Sequence, residues 1–277
     1  MAKIVGVVTT SHVPSIGGAI ARHQEQDPYW KPFFDGFIPV REWLKDVKPD
    51  VAVVIYNDHG LNFFLDKMPT FAVGAAPAYR NADEGWGIPT VPPFAGDPAL
   101  SWHLIEGLVR AEFDPTTCQD MLVDHAFTLP MALLWPDQNW PVRTVPVCIN
   151  TVQHPLPSAA RCLKFGRALG RAIDDYEQDL RVLVVGTGGL SHQLDGKRAG
   201  HINKEFDQKF MASLLADPDW ATRYSIAELV AEVGTQGIEL LMWLAARGTL
   251  AGPVRALTST YHIPISNTAG GIMLMAA

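Results

Sequence analysis

The chain has 277 residues, of which 48% are hydrophobic and 18% are charged, and its formal net charge is −7. A chain of this length and apolar content can bury a sizeable core, which argues against general disorder. The acidic balance and the scattered basic residues argue against a nucleic-acid surface.

The cysteines and the N-terminal residues indicate the cellular compartment in which we expect the protein. Cys118, Cys148 and Cys162 form no C-x-x-C pair, which argues against a disulfide framework or a zinc ribbon and favours a reducing cytoplasm. The first apolar run, 4–8, is shorter than the roughly 7–15 residues of a signal-peptide core. Since no run of about 18 apolar residues is present, we expect a cytoplasmic protein without a membrane span.

The predicted elements alternate between strands and helices. Short apolar runs predict strands over 4–8, 51–56, 142–149, 181–185, 254–263 and 271–275. Apolar residues on one face predict helices over 37–47, 98–112 (capped by Asp97), 157–176, 202–215, 225–232 and 237–247. This alternation predicts an α/β fold with a largely buried mixed sheet flanked by helices. Without a linker-like stretch, we expect one domain over residues 1–277.

Two stretches show no clear period. Residues 15–36 are predicted to be a loop with some helix, and an overlapping cluster at 29–37 is rich in aromatic residues. Residues 66–99 are rich in proline, glycine and aromatics, which is typical of a covering loop, a lid or a binding surface. The aromatic cluster at 29–37 and the stretch at 66–99 are candidate partner surfaces, and ordinary loop packing is the alternative for each.

Three of the predicted strands end near a histidine. His12 follows the first strand, His59 follows the second, and His192 follows the strand at 181–185. In open α/β sheets, the crevice beyond the carboxyl ends of the strands is where ligands bind. A core or capping role would explain any one of these histidines, but three at one edge suggest a site. Imidazoles are suitable ligands for iron, zinc, copper or nickel.

A carboxylate would complete a face of two histidines and one carboxylate, the ligand set of non-haem Fe(II) oxygenases. Glu239 is a candidate because it lies among apolar residues, where burial is costly without a partner or a metal. The alternative is a glutamate at the solvent edge of an amphipathic helix. The residues alone leave open which two histidines are ligands. No complete dinucleotide, P-loop, H-E-x-x-H or G-x-S-x-G motif is present.

Several segments together resemble a known family. These are S-H-V-P at 11–14, N-D-H at 57–59, G-T-G-G-L-S-H-Q-L at 186–194, G-I-E at 237–239, and the blocks at 199–206 and 261–269. In this order they resemble the LigB-type, class III extradiol ring-cleaving dioxygenases, in particular the catalytic β subunits of the protocatechuate 4,5-dioxygenases. The block at 186–192 is the most specific of them.

The resemblance implies roles for individual residues. It implies that His12, His59 and Glu239 hold one Fe(II), and that His192 is the acid/base near the metal. An imidazole titrates near pH 6.5, so His192 is suited to accept a catechol proton at neutral pH. Further site positions follow by the same resemblance, and these are the substrate-binding residues Asn57, His125 and Ser266.

The function expected from the resemblance is Fe(II)-dependent extradiol cleavage of a carboxylated catechol such as protocatechuate at the 4,5-bond. Both atoms of O2 would enter the product. The alternatives are a dioxygenase for gallate or another substituted catechol, a non-catalytic LigB-like binding protein, and a zinc hydrolase with the same ligands. The resemblance also implies an oligomer, with either a separate small α subunit that helps to cover the site or a member that acts without one.

Overall fold

The chain folds around a large mixed sheet, seen in a computed structural model that describes residues 1–85, 87–265 and 267–277. The strands in that part of the chain are β1 (Lys3–Thr10), β2 (Val51–Tyr56), β3 (Phe71–Gly74), β4 (Ala78–Asn81), β5 (Phe94–Ala95), β6 (Thr116–Cys118), β7 (Leu122–Val123), β8 (Arg143–Ile149), β9 (Arg181–Thr187), β10 (Arg255–Ile265) and β11 (Thr268–Ala276). Eight form one sheet in the order β10-β11-β1-β9-β2-β8-β3-β6, and β5, β4 and β7 form a smaller one. The prediction of an α/β fold with a mixed sheet is confirmed.

The centre of the large sheet is parallel. Strand β9 pairs in parallel with both β1 and β2, and β2 pairs in parallel with β8. Every residue of β2 is buried, as expected for a strand that is covered on both faces. Antiparallel pairing appears outside these four strands, where β11 joins β1 and β3 joins β8.

Helices cover both faces of the sheet. They are α1 (Pro14–Ala21), α2 (Lys31–Asp35), α3 (Ile38–Val47), α4 (Pro98–Arg110), α5 (His125–Leu134), α6 (Ala159–Asp174), α7 (Lys204–Ala216), α8 (Ile226–Val233) and α9 (Leu240–Gly248). Buried side chains of α4 and α6 to α9 pack in one apolar core. Those of α1 to α3 and α5 pack in a second. The predicted N-cap of α4 is present, since the Asp97 side chain accepts a hydrogen bond from the Leu100 N–H.

Helix α9 lies very close to β9 and α6. A Cβ atom on Gly186 of β9 would lie 2.7 Å from the Cβ of Ala246, and one on Gly166 of α6 would collide with the backbone of Ala245. Only glycine leaves room for this approach. Because Glu239 immediately precedes α9, this packing determines where its carboxylate lies.

Helix α9 is buried along its whole length. Within the described residues, no single helix is long and apolar enough to cross a bilayer. Ile226–Val233 and Gly237–Gly248 reach that length and composition only when they are taken together, and the two are bent by 118°.

The expectation that residues 66–99 lack regular structure is wrong in part. The stretch contains β3, β4 and β5, and β3 is a fully buried strand of the large sheet. Strands of two to four residues are too short to show a period in a sequence, so proline and glycine dominate the pattern there.

Helix α5 is not among the helices predicted from the sequence. Asp124 is the N-cap of α5, where its side chain accepts a hydrogen bond from the Ala126 N–H, and His125 is the first residue of that helix. Every residue of α5 is buried. A helix without a polar face has no amphipathic period, and the sequence therefore gives no helical signal.

The aromatic cluster at 29–37 is part of the core rather than a partner surface. Trp30, Phe33, Phe34 and Phe37 are buried, and Tyr29 alone among these five is exposed. The Phe33 and Phe37 rings meet edge to face with centroids 5.4 Å apart. These side chains fill the space between the sheet and its surface helices.

Candidate active site

The three predicted histidines meet at one edge of the large sheet. His12, His192 and His59 follow β1, β9 and β2, which are adjacent in the order β1-β9-β2. All three line a cavity of about 460 Å³, together with Val13, Pro14, Ser15, His125, Thr151, Val152, Gly189, Leu194, Thr235, Gln236, Glu239 and Thr268. The predicted crevice at the carboxyl ends of parallel strands is therefore present.

Glu239 supplies a buried carboxylate to this crevice. It ends a short 3₁₀ turn, Gly237–Glu239, that leads directly into α9. Its Oε2 lies 3.3 Å from His12 Nε2, its Oε1 lies 3.6 Å from His59 Nε2, and His192 Nε2 is 4.0 Å from Oε2. The alternative of a glutamate at the solvent edge is wrong, because the side chain is only 8% exposed.

The surroundings of Glu239 favour its charged form. Burial alone would raise the pKa of this carboxyl, but His12, followed by His59, outweighs burial and holds the pKa well below its usual range. The Gly189 N–H donates to Oε2 at 2.7 Å, and the Asn57 side-chain amide donates to Oε1 at 3.3 Å.

His59 is oriented by a second buried carboxylate. Asp124 Oδ2 accepts hydrogen bonds from the backbone N–H and from the ring Nδ1 of His59, both at 2.9 Å. Burial opposes protonation of His59, but Asp124, assisted by Glu239, raises its pKa to about 10. Since a carboxylate only accepts, Nδ1 carries a proton, and in the neutral ring the lone pair is on Nε2, facing Glu239.

The second ring nitrogen of His12 contacts the end of β9. Its Nδ1 lies 3.1 Å from Thr187 Oγ1, at the end of β9. Burial lowers the pKa of His12, although Glu239 opposes that shift. Removal of the proton from Nε2 gives the neutral imidazole, which is the form that ligates a metal.

These contacts fit a metal ion. The Nε2 atoms of two imidazoles approach the two oxygens of one buried carboxylate at 3.3–3.6 Å. A cation belongs between these atoms, either a proton on Nε2 or a metal ion that takes the place of the proton. His125 offers another ligand, since nitrogen atoms of His12, His59 and His125 lie within 4.8 Å of one another. The set with Glu239 is better suited because the buried charge of Glu239 needs a cation to compensate it.

His192 lies on a tightly held turn at the edge of the cavity. Its Nδ1 donates to the Leu190 carbonyl at 2.9 Å, and its backbone N–H donates to the Val233 carbonyl at 2.8 Å. The ring lies over Gly189, where a side chain would collide with it. Because Nδ1 donates to a carbonyl, the neutral ring has its lone pair on Nε2, the atom nearest Glu239.

The remaining predicted residues have different outcomes. Asn57 donates a hydrogen bond to Glu239 but does not belong to the cavity lining that the described residues provide. His125 lines the cavity and stacks on His59 with ring centroids 4.3 Å apart. Ser266 lies outside the described residues. Asp124, the partner of His59, was not predicted from the sequence, and its position directly before His125 was the one available signal.

A larger cavity lies away from these residues. Its volume is about 800 Å³, and its lining includes Leu44 of α3, Trp135 of the segment after α5 and Arg181 at the start of β9. No histidine belongs to the lining that the described residues provide. The convergence of imidazoles and a buried carboxylate, rather than size, therefore identifies the smaller cavity as the candidate site.

Similarity to known proteins extends over most of the chain. A family model described as the catalytic LigB subunit of aromatic ring-opening dioxygenase matches residues 6–270. A gallate dioxygenase from Pseudomonas putida is 42% identical over 184 residues, which cover 66% of this chain and 54% of that protein. A 2,3-dihydroxyphenylpropionate/2,3-dihydroxicinnamic acid 1,2-dioxygenase from Photorhabdus laumondii is 33% identical over 237 residues, which cover 83% of this chain and 68% of that protein.

A crystal structure adds a likeness in fold. That of an uncharacterized protein from Escherichia coli K12 has a TM-score of 0.55 over 98% of this chain and 99% of that chain, at 16% identity. The chain spans about half the length of the gallate dioxygenase that it matches. Both named relatives are dioxygenases for compounds other than protocatechuate, so the similarity supports the LigB group and not the protocatechuate 4,5-dioxygenases in particular.

Proposed function

The chain belongs to the LigB family of aromatic ring-opening dioxygenases, and we propose that residues 1–277 form one catalytic domain that uses Fe(II) to cleave the ring of a carboxylated catechol. The observation that carries the proposal is the approach of His12 and His59 to the two oxygens of the buried Glu239. A face of two histidines and one carboxylate leaves open positions for substrate and dioxygen, and is typical of non-haem Fe(II) oxygenases.

In this proposal His12, His59 and Glu239 hold the iron. The iron, when bound, would supply a Lewis acid for the two catechol oxygens and a path for electrons from the ring to dioxygen. His192 would accept a proton from a catechol hydroxyl at Nε2, because its Nδ1 donates to the Leu190 carbonyl. The bond that breaks lies beside the diol, outside the two hydroxyls, and both oxygen atoms enter the product.

The proposed substrate is protocatechuate, cleaved at the 4,5-bond to 4-carboxy-2-hydroxymuconate semialdehyde. Gallate, which has the same ring and carboxylate with one more hydroxyl, is the alternative that the 42% identity to a gallate dioxygenase supports. The cavity of about 460 Å³ has the size of a small-ligand site. Gln236 in its lining has a side-chain amide N–H₂ that can donate to a carboxylate. We propose that Ser266 also contacts the ring substituent.

The proposal includes a further polypeptide segment over the cavity. Val152 and Leu194 both line the cavity and are 52% and 56% exposed. Apolar side chains at the mouth of a site are typical of a surface that another segment covers. We propose that a small α subunit or a second copy of the chain in an oligomer provides that cover.

Dioxygen uptake tests the proposal. The protein would be loaded anaerobically with Fe(II) to one ion per chain and mixed with protocatechuate, gallate and 2,3-dihydroxyphenylpropionate in turn. We expect uptake and a coloured ring-fission product, with the highest kcat/KM for one of the two benzoates, and none with Zn(II). Bound iron and bound catechol without uptake would contradict the proposal in favour of a binding protein. Turnover by the Zn(II)-loaded protein without dioxygen uptake would favour a hydrolase.

A further inference from the structure

Glu84 accepts two hydrogen bonds from His125, which lines the candidate site. It belongs to the loop between β4 and β5, outside both sheets, and yet its carboxylate is only 8% exposed. Oε1 accepts a hydrogen bond from the backbone N–H of His125, and Oε2 accepts one from the ring Nδ1 of His125, both at 2.7 Å. One loop carboxylate therefore holds the backbone and the ring of a single cavity residue.

This pair determines which ring nitrogen of His125 carries a proton. A carboxylate only accepts hydrogen bonds, so Nδ1 of His125 must be protonated, and the lone pair of the neutral ring is on Nε2. The ring itself lines the cavity, stacks on His59 at 4.3 Å and meets the edge of His12 at 5.5 Å. The orientation of His125 in the cavity thus depends on Glu84.

The loop that carries Glu84 is anchored at several points. The Val91 N–H donates to the Asn81 side chain at 3.0 Å, and the Trp140 indole donates to the Pro92 carbonyl at 3.0 Å. Ile88 of the same loop packs closely against Gly17 of α1. These contacts fix the loop, so the position of the Glu84 carboxylate is set before any ligand binds.

The arrangement repeats that of Asp124 and His59. In both cases a buried carboxylate accepts from the backbone N–H and the Nδ1 of the same histidine, and the two imidazoles are stacked. Both carboxylates also lie at the N-terminus of α5, whose dipole favours negative charge. Since Asp124 orients a proposed metal ligand, the parallel contact suggests that Glu84 orients a residue that faces the substrate.

We propose that Glu84 is a positioning residue of the ring-cleavage site, which acts by holding the ring of His125 in place with its proton on Nδ1. In this role it prepares Nε2 of His125 to accept a hydrogen bond from a hydroxyl of the bound catechol. The inference rests on the proposed function for the identity of that ligand. Glu84 contacts His125 on the Nδ1 side and itself does not bind the substrate.

Glu84→Gln tests the inference because glutamine can accept only one of the two N–H groups and turns its own N–H toward the other. We expect unchanged iron content, since His12, His59 and Glu239 are untouched. We expect kcat/KM to fall by about 100-fold, as for a reacting group that is misplaced by about 1 Å. Asp83→Asn, which removes an exposed carboxylate from the same loop, is the matched control and should leave kcat/KM unchanged.

Two further readouts separate this role from a structural one. His125→Phe keeps a ring to stack on His59, and adding Glu84→Gln to it should lower kcat/KM by less than twofold. The ¹⁵N signals of the His125 ring, measured on metal-free protein, should show a proton on Nδ1 in the wild type and in Glu84→Asp, and its loss from Nδ1 in Glu84→Gln.

The inference is overturned if Glu84→Gln leaves the proton on Nδ1, or if the effects of Glu84→Gln and His125→Phe multiply in the double variant. The NMR signals require no turnover. A wild-type protein that fails to cleave catechols would therefore contradict the proposed function, while the position of the His125 proton would still decide the role of Glu84.

Discussion

Asp124→Asn affects both a proposed metal ligand and the N-terminus of α5 at the candidate site. The Asp124 side chain is fully buried, and its Oδ2 accepts from the backbone N–H and from Nδ1 of His59, both at 2.9 Å. Its Oδ1 accepts from the Ala126 N–H at 3.0 Å. Asparagine has a single acceptor oxygen, so in either orientation its amide N–H groups face at least one of these donors.

The expected cost follows from those contacts. A buried donor left without an acceptor costs about 1–3 kcal/mol of unfolding free energy. Loss of the partner that orients a metal-ligating histidine weakens metal binding by about 10–100-fold. Since the first effect concerns α5 and the second concerns His59, we expect both in Asp124→Asn.

Two measurements check this prediction, namely anaerobic metal titration and denaturant unfolding of the metal-free protein. Asp97→Asn is the matched control, because Asp97 is a buried N-cap of α4 that lies outside the cavity lining in the described part of the chain. Asparagine is a good N-cap, so we expect at most about 1 kcal/mol of destabilisation and unchanged metal affinity. Wild-type metal affinity in Asp124→Asn would refute the assignment of Asp124 as the residue that orients a ligand.

Further predictions concern other parts of the chain. His192→Ala should keep one iron per chain by metal analysis and lose at least about 100-fold in dioxygen uptake; loss of iron would make His192 a ligand. Gly18→Ala should raise the unfolding free energy by about 0.5–1 kcal/mol, because its methyl meets only a flexible arginine. Gly17→Ala should lower the unfolding free energy, because its methyl meets the packed side chains of Ile88 and Leu129 at 2.8–3.0 Å. The hydrogen bond from Arg181 lowers the pKa of Asp50 to about 2, so the stability that this pair contributes is present above about pH 4 and is lost as the pH falls toward 2. Asp50→Asn should make the unfolding free energy less dependent on pH in that window, as measured by denaturant unfolding at each pH. The same pH dependence in Asp50→Asn as in the wild type would contradict this.

The large sheet and the histidine edge were predictable from the sequence for a physical reason. Parallel strands are buried on both faces, so β1, β2 and β9 appear as short apolar runs, and their carboxyl ends share an edge. The positions of His12, His59 and His192 follow directly from that rule. The bounds of α3, α6 and α8 could be predicted because these helices have distinct apolar and polar faces.

Contacts between distant segments could not be predicted in the same way. The residues alone did not decide whether Glu239 is buried, because its position depends on the close packing of α9 against β9 and α6. Helix α5 was missed because it has no polar face. Glu84 lies among glycine and proline residues, and no local pattern connects it with His125, 41 positions further along the chain.

The central claim is that this site uses iron to insert dioxygen into a catechol ring. The most direct measurement is the amount of dioxygen consumed per catechol by Fe(II)-loaded protein, with hydrogen peroxide determined in the same sample. The account predicts one O2 per catechol and no peroxide, because both oxygen atoms enter the ring-opened product. Consumption with release of peroxide and formation of a quinone, or no consumption by protein that holds both iron and catechol, would contradict it.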